Sequence, residues 1–131
     1  MALPNGAGGY QLGDGNLTEV VLGVQSAPIA KTAAATLTPA ELANGIITYT
    51  GAAVALTVPL GVDIDAAFPS MKVNRTFDFY IINIGATNAA TVTANTGCTL
   101  VGTAAVSAAT SCNWRVRKSG DGTFVFNRIA G

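Results

Sequence analysis

Four of the chain's seven basic side chains, Arg115, Arg117, Lys118 and Arg128, fall in its closing segment, SCNWRVRKSGDGTFVFNRIAG. Grouped cations can grip a phosphate, orient a carboxylate, or line the wet face of a hairpin. The order around them separates these chemistries. Cys112, Trp114 and Val116 alternate with Asn113, Arg115 and Arg117, and side chains alternate across a strand. Trp114 is therefore expected to face the core, with the arginines facing out together. Phe124 and Phe126 share a face of the partner strand, and Arg128 continues their row. A nucleic-acid site needs more cations, with exposed aromatics beside them. The segment reads instead as a half-buried hairpin with a solvated or subunit-facing basic ridge, and no nucleic-acid partner is expected.

The remaining polar groups offer little for catalysis. The chain has no histidine, which removes the commonest general base and metal ligand and the usual Ser-His and Cys-His pairs. Asp63 with Asp65, and Asp14 with Asn16 and Glu19, are candidate cation ligands, but neither group has calcium-loop spacing. Asp63 or Asp65 reads more simply as a helix cap. GAGGYQLG lacks the lysine of a phosphate-binding loop. Asp78 stands inside an apolar strand, where it either pairs with an arginine from a neighbouring strand or subunit or faces water. A catalytic carboxylate would need a second one placed beside it. No enzymatic activity, cofactor or metal is expected. Cys98 and Cys112 could bond across neighbouring strands. Composition favours two buried thiols in a reducing cytoplasm.

Net charge is zero, so no long-range field draws in nucleic acid or an anionic membrane. Charged residues make up 11% of the chain, against roughly 25% in an ordinary soluble domain. Half the residues are apolar. Such a surface is expected to be covered by partners. The start, MALPNGAGGYQLGDG, has neither the basic patch nor the apolar run of a signal peptide. The longest apolar stretch, GAAVALTVPLGV, is too short to cross a bilayer and contains Pro59. Synthesis in the cytoplasm and no membrane partner are expected.

The elements that position these residues are mostly strands. Residues 1–30 are crowded with glycine and read as an extended arm that orders against another surface, since glycine loses the most backbone freedom on ordering. Its apolar residues Tyr10, Leu12, Leu17, Val20, Val21 and Leu22, with Arg115 and Arg117, are the candidate partner-binding residues. LTPAELANG carries a helical turn, with Thr38 as cap, Pro39 at the first position, Glu41 three after the cap and Gly45 as stop. GVDIDAAFP holds a second short helical turn. RTFDFYIINIG reads as a central strand apolar on both faces, Phe77, Phe79 and Ile81 on one and Tyr80, Ile82 and Ile84 on the other. Asp121-Gly122 marks a tight hairpin turn. No fixed repeat period is visible, which argues against a β-solenoid. The expected fold is all-β: an antiparallel β-sandwich or jelly-roll-like domain over 31–131, with the arm and one or two helical turns.

The stretches ATLTPAELANGIITYTG, FDFYIINIGATNAATVTANTG and TSCNWRVRKSGDGTFVFNRIAG, with the glycine-rich opening, together resemble a virion domain common in tailed bacteriophages. The resemblance implies a capsid decoration, or cement, protein: a β-rich homotrimer on the outer face of a head, made in the host bacterial cytoplasm, that bridges and stabilises major capsid protein subunits. Related domains occur in head fibres and tails, so a fibre or tail knob that binds a receptor or glycan is the alternative it implies.

Overall fold

The computed structural model describes residues 22–131. Along them run β1 (Ile29–Lys31), β2 (Ala35–Thr36), α1 (Pro39–Asn44), β3 (Ile46–Tyr49), β4 (Val54–Thr57), α2 (Gly61–Ala67), β5 (Thr76–Asn83), β6 (Ala90–Thr93), β7 (Cys98–Val101), β8 (Ala105–Val106), β9 (Ser111–Gly120) and β10 (Thr123–Ala130). The class is strand-rich, as expected. One sheet has the order β1-β3-β5-β9-β10-β7 and the other the order β2-β4-β6-β8. β5 is an interior strand of the larger sheet, while β9 is longer.

The expected antiparallel pairing does not hold. Among the described residues, five strand pairs are parallel: β1 with β3, β3 with β5, β2 with β4, β4 with β6, and β7 with β10. The pairs β5–β9, β9–β10 and β6–β8 are antiparallel. The cause is the path of the chain. From β1 to β8 it changes sheet at every strand, so over residues 29–93 each pass returns in the direction of the one before. The chain winds as a short coil, which the missing period had argued against. In one sheet Ile29 lies opposite Ile47, and Ile47 opposite Ile81. In the other Ala35 lies opposite Leu56, and Leu56 opposite Val92. In both sheets the second step along the sequence is much longer than the first. Residues 58–75, which hold α2, lengthen that second turn and erase the period.

Local chemistry sets the first turn. Thr38 Oγ1 accepts from the Glu41 N–H at 3.2 Å, and the Thr38 N–H donates to Glu41 Oε1 at 2.9 Å. Pro39 opens α1, and Gly45, at φ +98°, closes it with a hydrogen bond to the Leu42 carbonyl. Such reciprocal capping satisfies two of the donors that a helix start leaves open. Both sheets and both helices feed one core, which includes Leu42, Ile47, Tyr49, Leu56, Ile64, Phe79, Ile81, Val92, Trp114, Phe124 and Phe126. The buried Asn83 side chain donates to the carbonyls of Asn88 and Val106 and accepts from the Gly85 N–H, which fixes the turn after β5. The paired body starts at Ile29, slightly before the expected boundary.

Candidate interaction surface

The inner face of the larger sheet is closed. Phe79, Ile81, Trp114, Val116 and Phe126 are all fully buried, so the residues between them point outward. On that outer face Tyr80 lies between Ile46 and Asn113, and Ile82 lies between Thr48 and Ser111. Asp78 faces Arg115, which faces Asn127, which faces Val101. Tyr80 is 45% exposed, and Val101, Ile129 and Ile84 are about as open or more so. The strand that looked apolar on both sides therefore has one side sealed by the core and the other partly bare.

The basic ridge is quieter than its sequence suggests. Arg115 Nε and Nη2 donate to the two Asp78 carboxylate oxygens at 2.8 and 3.1 Å, and Arg117 Nη1 donates to Asn74 Oδ1 at 3.0 Å. Of the two partners open to Asp78, the neighbouring-strand arginine is the one found. Arg128 turns inward on Trp114's side and donates to the carbonyls of Thr103 and Ala105. Beside Tyr80 a shallow depression of about 240 Å³ is lined by Ser111, Cys112, Asn113, Ala130 and Gly131. Asn113 Oδ1 is buried there and accepts no hydrogen bond.

Comparison adds no relative. No family model, curated protein or solved structure matches this chain. Of the candidate partner-binding residues, Tyr10, Leu12, Leu17, Val20 and Val21 lie outside the described residues. Leu22 is 86% exposed. Arg115 and Arg117 stand on the outer face of β9, as the alternation implied. No helix among the described residues is long and apolar enough to cross a membrane.

Lys118 departs from the ridge reading. It points inward and is buried. Its Nζ donates to Asp65 Oδ1 at 2.5 Å and to the Met71 carbonyl at 3.0 Å, while Asp65 Oδ2 accepts the Gly122 N–H at 2.7 Å. Asp65 is thus a clasp between α2 and the hairpin turn. The cap position of α2 belongs to Leu60, without a side-chain hydrogen bond. Sequence pattern could have flagged Lys118, since it continues the inward row of Trp114 and Val116. Removing it breaks two charge-assisted hydrogen bonds made by a buried cation, while the Asp65 left behind is partly exposed. Lys118→Ala is expected to lower stability by about 2 kcal/mol, whereas Arg117→Ala, on the open face, is expected to stay within about 0.5 kcal/mol. Urea unfolding of both variants checks the contrast, and equal effects would refute it.

The two thiols do not meet. Cys98 pairs with Phe124, which pairs with Lys118, and Cys112 lies further along β9, roughly 20 Å away at strand spacing. Both are free and buried. Burial pushes the Cys98 thiol up to about 11 and raises Cys112 as well.

Among the described residues, three carboxyls are held below their ordinary range. The Lys118 hydrogen bond, then the Gly122 N–H, lowers Asp65, and the Arg115 hydrogen bond lowers Asp78. At Glu41 burial pushes upward, but bonds from Lys31 and Thr38 together outweigh it. A carboxyl depressed in the folded state stabilises the fold above its unfolded pKa, and that contribution is lost as pH falls through the folded value. The urea midpoint is therefore expected to hold near neutrality and to fall below about pH 4. A midpoint unchanged down to about pH 2 would contradict these pairings.

Proposed function

We propose that this chain is a structural virion protein that decorates the outer surface of a bacteriophage head, bridging and stabilising major capsid protein subunits as a homotrimer. We read its two sheets as the layers of a sandwich around the single core, with mixed rather than jelly-roll pairing. The observation that carries the reading is the outer face of the larger sheet, where Tyr80 and Val101 are exposed, with Ile84 exposed just past the end of β5, on a chain with only 11% charged residues. Apolar surface of this kind gains by being covered, at about 25 cal/mol per Å². The Arg115–Asp78 pair neutralises itself within the face, so it imposes no net charge on whatever covers it.

A bridging protein works by mass action. It binds the assembled lattice and not its separated parts, so each bound copy stabilises assembly, and many copies add. Light scattering at micromolar concentration, followed by co-sedimentation with empty phage heads, tests this. A trimeric mass and pelleting with heads are expected, both lost in a Tyr80→Lys, Ile84→Lys double variant. A monomer that stays in the supernatant would overturn the proposal.

A further inference from the structure

The clasp between α2 and the hairpin sets an amine against a carboxyl group. Lys118 Nζ donates to Asp65 Oδ1 at 2.5 Å and to the Met71 carbonyl at 3.0 Å. At ordinary lone-pair angles the first distance puts the nitrogen roughly 3–3.5 Å from the carboxyl carbon Cγ, the near-attack range for a bond-forming pair. The second bond keeps the amine from swinging away. Asp65 Oδ2 accepts the Gly122 N–H at 2.7 Å. A main-chain donor thus already sits on the oxygen that gains charge when Cγ is attacked.

The frame around these groups is stiff. Asp65 follows Ile64, which is fully buried. The Lys118 carbonyl accepts the Asn74 N–H at 2.8 Å, and the Lys118 N–H donates to the Arg75 carbonyl at 3.1 Å. Neither backbone can drift without breaking the core or the strand end. The Lys118 side chain is 9% exposed and that of Asp65 25%. The nitrogen is therefore shielded from competing water, while the carboxyl keeps a way out for a departing one.

We propose that Lys118 and Asp65 join spontaneously in the folded chain as a side-chain amide, Nζ to Cγ, with loss of one water. The ion pair is the starting state. One proton passes from Nζ to Oδ1 along their hydrogen bond, leaving an amine beside a carboxylic acid. The amine attacks Cγ, and Oδ2 takes the charge under the Gly122 N–H. Oδ1 then leaves as water, with a second proton from the attacking nitrogen. Asp121 Oδ1, 4.0 Å from Nζ, can carry that proton through one water. The ammonium supplies both protons, so no oxidant, reductant or further reactant is needed. Groups held in this way react as if at about 10⁵–10⁸ M, which separates this pair from lysine and aspartate free in water. The bond staples α2 to β9 across 53 residues. It does not rest on a virion role, and its test does not involve heads.

Mass spectrometry of the full-length chain tests it. After prolonged incubation of the folded protein near neutral pH, the denatured intact mass is expected to fall short of the sequence mass by one water. The same chain kept in urea should retain the full sequence mass, because the fold supplies the geometry. Trypsin locates the bond. It does not cleave after an acylated lysine, so residues 32–72 and 118–128 should emerge as one branched peptide. Lys118→Arg keeps the cation without the amine and should stay at its full mass. Should that variant not fold, the parent's own peptides still decide. A folded parent at full sequence mass, with Lys118 cleaved by trypsin, overturns the proposal. So does a missing water with the two peptides unjoined, since the water was then lost elsewhere, as by ring closure at Asp121-Gly122.

Discussion

Gly61→Ala is expected to lower the stability of the fold by about 3 kcal/mol, the upper end for forcing atoms into a packed site. Gly61 opens α2, where its N–H donates to the Thr96 carbonyl at 2.9 Å. A Cβ there would land on the Gly122 carbonyl and crowd Gly97 Cα. Both neighbours are backbone, so neither can swing aside. Gly122 is held by Asp65 and Gly97 by the Phe124 N–H. Helix propensity predicts the opposite sign, a gain of up to about 1 kcal/mol from replacing glycine by alanine. The experiment therefore discriminates by direction. Gly23→Ala, which meets nothing within 4 Å, is the matched control and should move the urea midpoint little. A Gly61→Ala midpoint at or above the parent's would show that the three glycines do not meet.

This contact also marks where the sequence stopped being readable. The cap of α1 is written within four consecutive residues, and the hairpin turn within the Asp121-Gly122 dipeptide. The alternation around Trp114 lies within one strand. Local patterns of this kind survive without knowledge of the fold. Gly61, Gly97 and Gly122 are far apart in sequence, and each alone looks like ordinary punctuation. Lys118 looked like part of the basic ridge because three cations stand close together, while its burial depends on Asp65 arriving from α2. The coil was hidden for the same reason. Its rungs are mostly short, and the insertion of residues 58–75 changes their spacing. The rows Ile29, Ile47, Ile81 and Thr36, Thr57, Thr93 were present as residues but not as a period. On the candidate surface, alternation placed Arg115 and Arg117 correctly, and it gave Tyr80 and Ile82 a face of their own. It could not tell that Asp78 would neutralise Arg115, nor that Asn113 would keep an unmatched acceptor.

Trp114→Ala is expected to cost about 3–5 kcal/mol, the range for emptying a large aromatic from a core. The ring is fully buried and is flanked in register by Phe79 on β5 and Arg128 on β10. Its Nε1 donates to Cys112 Sγ at 3.1 Å, so even its polar edge is matched inside. Neighbours cannot collapse into the space easily. Phe79 is braced edge-on by Phe126, and Arg128 is fixed by two carbonyls on the other side. Small domains hold only about 5–15 kcal/mol in total, so the variant should be partly unfolded at physiological temperature. Trp114→Phe keeps most of the volume and loses a hydrogen bond to sulfur, and about 1–2 kcal/mol is expected. Circular dichroism melts rank the parent and both variants, and the parent's single tryptophan gives an independent fluorescence signal for its own transition. A Trp114→Ala loss below about 1 kcal/mol would place the side chain outside the core, and would turn the arginines on the opposite face of β9 inward with it.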